Sequence, residues 1–240
     1  MQLSRLSLAD PLTVDWHTKR SLLQLHILFL GLFIEPYRDC LVDLGQFRMG
    51  KTSFEPGDLR GLKSVEEQCV LAARQSARVA SLLQTNNLIR SHCWVSVYVP
   101  PNQKAPNGLT EDGGLRYTSY TGCTILLFSA SQRLFELSRH EVGQDLLYGS
   151  SHLNVLSFCS YDSDIARKLY TTLQIIYNDI REVVVSPAYT SMREMRMAVK
   201  DPSLVPSSYY DAVEGAAGVC STILDLTRRI MDVLQESLSI

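Results

Sequence analysis

The sequence has no closely spaced pair of cysteines, no long apolar run and no excess of positive charge. Its six cysteines lie at positions 40, 69, 93, 123, 159 and 220, and the two nearest are 24 residues apart. A Cys-x-x-Cys pattern with the spacing of zinc ligands or of a redox pair is therefore missing. We expect reduced, mostly buried thiols in an intracellular protein, because an isolated buried cysteine behaves as a small apolar side chain.

The charge balance argues against a nucleic-acid-binding surface. Residues 1–120 carry 13 basic and 11 acidic side chains, residues 121–240 carry 10 and 14, and the formal net charge is −2. Neither half has the positive excess that neutralises a phosphate backbone. We expect no direct nucleic-acid binding by this chain.

The longest apolar run is too short to cross a membrane. It covers Leu22 to Ile34, which is 13 residues, and it is interrupted by Gln24 and His26. A spanning helix needs about 20 apolar residues, and a run of this length is more often a core helix. No small-residue cleavage site follows it, so the sequence does not predict a signal peptide.

Helical periodicity dominates the chain and predicts an all-α fold, a bundle of roughly six to eight mostly antiparallel helices. In two segments the residues of one face recur at three- and four-residue steps: Val65, Cys69, Ala72, Ser76, Val79 and Leu83 in the first, and Ile165, Leu169, Thr172, Ile176, Ile180 and Val183 in the second. Ser64 and Glu67 form a capping-box pattern for the first helix, and Asp162 or Ser163 is placed to cap the second.

Further helices are predicted at Thr18–Phe33, Thr118–Ser138, Leu146–Phe158 and about 219–238. The first should end near Glu35 because Pro36 follows. The second is apolar nearly all round, which is typical of a central helix. The last has one apolar face: Ile223, Leu226, Ile230, Val233 and Leu234.

Three stretches are less regular. The residues Cys93–Val99 have the composition of a strand without a partner strand, and we interpret them as a buried helix. The stretch Pro100–Gly114 is rich in proline, asparagine and glycine and predicts a surface loop. Three prolines in Ser186–Asp211 indicate a linker. The predicted organisation is a helical regulatory domain at 1–185, a linker at 186–210 and a helical segment at 211–240.

Residues Gly45–Thr52 read GQFRMGKT, which matches the G-x-x-x-x-G-K-T pattern of phosphate-binding loops. Such a loop wraps phosphate with backbone N–H groups and starts a helix at the lysine. The interior of this stretch is bulky, and a helix starting at Lys51 would meet Pro56 within two turns. The βαβ alternation of a nucleotide-binding sheet is also missing. We interpret the stretch as a connection between helices.

Other catalytic patterns are incomplete. His140 and Glu141 begin like His-Glu-x-x-His, but Gln144 stands where the second zinc ligand should be. Tyr148–Leu153 contains serine and histidine without the Gly-x-Ser-x-Gly pattern. The neighbours His92 and Cys93 would point apart on one element, and His26 is predicted to be a packed residue. The sequence predicts no enzyme and assigns no catalytic, cofactor-binding or metal-binding residue.

The order of the helical segments resembles a known family. The apolar helix that ends at Pro36 is followed by CVLAARQSARVASLL, with Cys69, Ala72 and Ala73, and later by HLNVLSFCSYDSDIARKLYTTLQIIYNDI, with Leu153 and Ala166. This series over residues 18–183 is similar to the C-terminal half of the regulatory domain of fungal zinc-cluster (Zn2Cys6) transcription factors. The resemblance implies an all-α regulatory domain that acts in the nucleus on transcription by RNA polymerase II, through a protein partner or a small-molecule effector.

The departures from that family limit what the resemblance implies. The zinc-binding module of the family has six clustered cysteines, and the cysteines of this chain are dispersed, so zinc and DNA binding are expected only in a module that this sequence lacks. We expect no cofactor and no membrane association, and the sequence indicates no oligomeric state. Two alternatives stay open: a helical scaffold whose tail helix at 219–238 is the docking surface, and nucleotide binding at Gly45–Thr52.

Overall fold

The fold consists of helices packed against one another, as the sequence predicts. A computed structural model describes residues 15–34, 38–89, 113–136, 138–161, 163–200 and 209–236. These residues form eight helices and no strand: α1 (Trp16–Ile34), α2 (Arg38–Arg48), α3 (Pro56–Thr85), α4 (Gly113–Glu136), α5 (Arg139–Cys159), α6 (Asp164–Val185), α7 (Pro187–Lys200) and α8 (Tyr209–Glu236). The predictions for Cys93–Val99 and for most of the Pro100–Gly114 loop lie outside the described residues. Gly113 and Gly114, at the end of that predicted loop, begin α4.

Helix α4 lies at the centre of the bundle. Every residue from Thr118 to Gln132 is buried, and the helix contacts α1, α3, α5, α6 and α8. A helix that is apolar nearly all round can be buried on all sides, so the prediction of a central helix is confirmed. Helices α4 and α5 run antiparallel, because Cys123 lies beside Gly149 and Ser129 lies beside Asp145.

The predicted start of α3 is wrong. The helix begins at Pro56, with Glu55 as the N-cap residue, so Ser64 lies inside the helix and cannot cap it. Proline suits the first helical position because its missing N–H needs no partner there and its fixed φ is already helical. The predicted buried face is confirmed at Cys69, Ala72, Ser76, Val79 and Leu83.

The predicted start of α6 is confirmed, and its predicted buried face is confirmed only in part. The Ser163 hydroxyl accepts a hydrogen bond from the Ala166 N–H, as expected of an N-cap residue. Ile176, Ile180 and Val183 are buried as predicted, but Ile165 is 64% exposed. The small Ala166 takes the buried position in the first turn. The buried face of α6 thus runs through Ala166 and Leu173.

The stretch predicted as a linker contains α7. Its proline, Pro187, stands at the first helical position, where it favours a helix, and Tyr189 is completely buried. Helix α7 packs against α6 and α8. The prediction of a linker is wrong here because proline interrupts a helix only beyond its first turn.

The tail helix α8 belongs to the core. Its predicted face of Ile223, Leu226, Ile230, Val233 and Leu234 is buried, and the helix contacts α2, α4, α6 and α7. This apolar face is already covered by the bundle, so it is not available for docking. Docking through the other side of the tail helix stays a prediction.

Candidate functional site

The phosphate-loop pattern forms the end of a helix. Residues Gly45–Arg48 are the last turn of α2, and Gly50 has a φ of 71°, the left-handed conformation that glycine adopts most readily. The Gly50 N–H donates to the Phe47 carbonyl and the Lys51 N–H to the Gln46 carbonyl, both at 2.9 Å. This pair of hydrogen bonds is a Schellman motif, which closes helix C-termini. The next helix begins at Pro56, so no helix starts at Lys51.

The first glycine of the pattern has a packing role. A Cβ atom at Gly45 would lie 2.5 Å from the Met231 sulfur and 3.2 Å from the Phe128 ring. Glycine therefore allows α2 to lie close to α4 and α8. Both glycines of the pattern are explained by helix packing and helix termination, and the N–H groups of Gly50 and Lys51 donate to backbone carbonyls instead of facing an open loop.

We expect Lys51→Ala to have no effect on nucleotide-dependent stability, because Lys51 follows a helix end and its backbone N–H is already bonded. A ligand that binds the folded chain raises its melting temperature. For the wild-type chain and for the variant alike, adding magnesium-ATP or magnesium-GTP should leave the melting temperature unchanged. A nucleotide-dependent rise in the wild-type chain that Lys51→Ala loses would contradict this expectation.

A buried carboxylate joins α3, α4 and α5. The Asp145 side chain on α5 is completely buried. Its Oδ1 accepts from Arg74 Nε at 2.8 Å and Nη2 at 2.5 Å, and its Oδ2 accepts from the Ser129 hydroxyl at 2.8 Å. Arg133 Nε lies 3.7 Å from the same Oδ2. We call Asp145, Arg74, Ser129 and Arg133 the Asp145 cluster.

The electrostatics of the Asp145 cluster fit a structural role. Burial raises the pKa of the Asp145 carboxyl, and the hydrogen bonds from Arg74 and Ser129 oppose that rise. Both oxygens are occupied by donors within the protein. The cluster connects three helices, and it presents no accessible proton acceptor to a substrate.

A second buried polar group lies about two turns further along α5. His152 is fully buried, and its Nε2 lies 3.1 Å from the Ser76 hydroxyl and 3.3 Å from the Ala73 carbonyl. The Ser76 hydroxyl itself donates to the Ala73 carbonyl at 2.9 Å. A carbonyl only accepts, and Nδ1 has no hydrogen-bond partner, so the tautomer with the proton on Nε2 is favoured.

This tautomer decides what His152 can do. A general base for Ser76 would need a free lone pair on the nitrogen that faces the hydroxyl, and here that nitrogen is the donor. Burial lowers the pKa of the imidazole to about 4, so the ring is neutral near neutral pH. The pair of Ser76 and His152 is therefore a helix-packing contact between α3 and α5.

Gly122 provides the space for the His152 ring. A Cβ at Gly122 would lie 2.7 Å from His152 Nε2 and 3.0 Å from Cε1. We expect Gly122→Ala to lower the free energy of unfolding by about 1 kcal/mol, because an overpacking cost of about 2 kcal/mol exceeds the roughly 1 kcal/mol that alanine gains in a helix.

Gly143→Ala is the matched control for that substitution. Gly143 also lies within a helix, and no atom stands within 4 Å of the position that a Cβ would take there, so alanine should raise stability by about 0.5–1 kcal/mol. Urea unfolding of both variants measures the difference. Equal effects of the two substitutions would contradict the proposed contact between Gly122 and His152.

The other residues considered in the sequence lie apart from these clusters. His140 is exposed in the first turn of α5 and lies 2.9 Å from Gln144 through its Nε2, and His26 is half-buried. Cys69 and Cys123 are buried, and Cys40, Cys159 and Cys220 are half-buried. Among the described residues, no group of three or more His, Cys, Asp or Glu side chains could hold a metal ion. His92 and Cys93 lie outside the described residues.

Asp145 was not identified from the sequence, and His152 was identified only as the histidine of Tyr148–Leu153, although a signal for both is present. On α5 the buried positions recur at Val142, Asp145, Gly149, His152 and Leu156. Two ionisable residues therefore occupy buried positions of α5, and such residues are rarely buried without partners. Their partners lie on other helices, and so the pattern of α5 alone does not identify them.

Helix α1 is apolar on two faces. Its inner face packs on the bundle through Ile27, Leu30 and Ile34, and Gly31 approaches Thr118 of α4 closely. Its outer face leaves five large apolar side chains in solvent: Leu22, Leu25, Phe29, Leu32 and Phe33. We call these five residues the outer face of α1.

The outer face of α1 is large for a surface patch. Leu25, Phe29 and Leu32 are 60%, 53% and 71% exposed. Together the five side chains expose roughly 500 Å² of apolar surface, within the range of the largest patches on ordinary monomers, which are often functional. The rings of Phe29 and Phe33 meet edge to face, with centroids 4.9 Å apart, and so form one continuous surface.

Within the part of the chain that the structure describes, every helix is too short or too polar to cross a membrane.

Comparison with known proteins gives no matching family model, no matching curated protein and no matching solved structure. The resemblance to zinc-cluster regulatory domains thus depends on the sequence segments quoted for it.

Proposed function

We propose that this chain is a regulatory protein-interaction module and that the outer face of α1 is its docking surface. The observation that carries the proposal is the exposure of five large apolar side chains on one side of a helix whose other side is anchored in the core. Exposed apolar surface of this extent has an unfavourable free energy of hydration, and that free energy is recovered when a partner covers the surface.

The interior of the bundle supports binding rather than catalysis. The Asp145 cluster is saturated by its own hydrogen bonds, and in the favoured tautomer the His152 nitrogen nearest to Ser76 is a donor. Among the described residues, the Asp145 cluster and the pair of Ser76 and His152 thus hold α3, α4 and α5 together. They give α1 a rigid support, which favours a preformed docking surface.

The proposal is tested with a charge-introducing variant, Leu25→Glu/Phe29→Glu. Both positions are exposed, so the fold should tolerate the change, whereas two carboxylates in an apolar interface should abolish binding. Leu147→Glu is the matched control, because Leu147 is 66% exposed and lies on α5. Tagged chains are purified from the native cells, and their bound proteins are quantified by mass spectrometry. Partners retained by the double variant, or lost equally in the control, would contradict the proposal.

A narrower form of the proposal is that the module regulates transcription in the nucleus. It is supported by the resemblance of residues 18–183 to the regulatory domain of zinc-cluster factors. Fusion of the chain to an unrelated DNA-binding module should change the output of a reporter gene with the matching site. The same fusion carrying Leu25→Glu/Phe29→Glu should lose that effect. An unchanged reporter with the wild-type fusion would contradict the transcriptional role and leave protein docking intact.

A further inference from the structure

We infer that the outer face of α1 binds the same face of a second copy of this chain, with the two α1 helices antiparallel. The inference rests on the proposed function, since it names the partner of that docking surface. Three properties of α1 carry it: the spacing of the exposed residues, the area that they cover, and the distribution of charge along the helix.

The spacing of the outer face is that of a helix-pairing seam. Leu22, Leu25, Phe29 and Leu32 follow one another at steps of three, four and three residues. This is the a and d spacing of a coiled coil, in which the apolar side chains of one helix fit between those of its partner. Two such seams related by a two-fold axis match each other without any change of sequence, as an isologous contact requires.

The area is sufficient for a dimer. Two copies of the outer face would bury about 1,000 Å² of apolar surface in total, which is the lower limit for a specific interface before the polar rim is added. The residues that flank the seam include Ser21, His26 and Phe33 and carry no acidic or lysine or arginine side chain. Charges at flanking positions set which chains pair, and these flanking residues carry no like charges that would repel an identical copy.

The charge along α1 sets the orientation. Lys19 and Arg20 lie in the first turns, Asp15 lies just before the helix, and the helix itself contains no acidic residue, so this end of α1 carries a net positive charge. A parallel pair would bring the two basic ends together, and an antiparallel pair separates them by the length of the helix. The antiparallel arrangement also sets the two helix dipoles in opposite directions. In this register Leu22 faces Leu32 of the second copy, and Leu25 faces Phe29.

The oligomeric state tests the inference. The full chain is measured by size-exclusion chromatography with light scattering at roughly 100 µM, above the micromolar dissociation constants of the weaker specific interfaces. We expect about twice the 27.0 kDa of one chain. Leu25→Glu/Phe29→Glu should elute with the mass of one chain, and Leu147→Glu should keep the mass of two. Circular dichroism melts confirm that both variants are folded.

Cysteine cross-linking tests the orientation. In an antiparallel pair the double variant Leu22→Cys/Leu32→Cys forms intermolecular disulfides, and each single variant does not, because each cysteine then faces a leucine. In a parallel pair each single variant cross-links with itself. The wild-type chain, with its six native cysteines, gives the background under the same oxidant.

Each contrary result has a definite meaning. A wild-type chain with the mass of one copy would overturn the inference, and so would a dimer that Leu25→Glu/Phe29→Glu leaves intact. Cross-linking of the single variants would overturn the antiparallel arrangement. A monomeric wild-type chain whose outer face binds a different protein, or binds phosphatidylcholine vesicles, would also overturn the inference. Binding of a different protein would leave the proposed docking function intact, whereas binding of vesicles would contradict it as well.

Discussion

Replacement of Asp145 by alanine is expected to lower the free energy of unfolding by about 3 kcal/mol, the lower end of the effect of breaking a buried ion pair. The substitution removes the acceptor of two Arg74 hydrogen bonds and of the Ser129 hydroxyl bond. Arg74 is partly exposed and can recover some hydration, whereas Ser129 is buried and cannot. Urea unfolding followed by circular dichroism measures the loss.

Asp179→Ala is the control for this prediction. Asp179 also forms an ion pair, with Arg229 at 2.5 Å, but both side chains are more than a third exposed. Exposed pairs contribute about 0–1 kcal/mol, because water and salt screen the charges. If Asp145→Ala and Asp179→Ala cost the same, the Asp145 cluster does not hold the three helices together.

Acidification is expected to destabilise the fold through His152. Burial lowers the pKa of this imidazole to about 4, below the ordinary value of 6.5. Between these two pH values the unfolded chain binds a proton at position 152 and the folded chain does not. The free energy of unfolding therefore falls as the pH falls through this window, by about 3 kcal/mol in total. Below pH 4 both states are protonated at this residue, and the effect ends.

Urea unfolding of the wild-type chain and of His152→Gln from pH 7 to pH 4 tests this prediction. The variant lacks the titrating ring, so its stability should fall less steeply over the same window. His140→Gln serves as the control for removing a histidine, because His140 lies at an exposed position of the same helix. Identical slopes for the wild-type chain and His152→Gln would show that His152 is not held neutral in the folded state.

Much of the fold follows from local pattern, and the errors have local causes. The buried faces of α3 and α8 were predictable because their apolar residues recur with helical spacing. The start of α3 was missed because Pro56 opens the helix before the capping pattern at Ser64. Helix α7 was missed because its proline occupies the one helical position where proline is favourable.

The candidate site was less predictable, since it depends on contacts between distant residues. Asp145 and Arg74 are far apart in sequence and meet only when α3 and α5 pack together. The phosphate-loop pattern shows the opposite case, in which eight adjacent residues suggest chemistry that their backbone conformation does not provide. For α1, the sequence shows an apolar run interrupted by Gln24 and His26, but only the packing of the bundle determines which apolar side chains are left exposed.

The most direct test of the central proposal is photo-cross-linking in the native cells from the outer face of α1. A benzophenone amino acid is introduced at Phe29, which is exposed at the middle of the face, and separately at Leu147 on α5 as the control. The docking proposal predicts a discrete protein adduct from position 29 and none of the same mass from position 147. An adduct of two copies of this chain would support pairing through this face in either orientation, and an adduct with another protein would support docking alone. The absence of any protein adduct at position 29 would contradict the proposal that this face binds a protein.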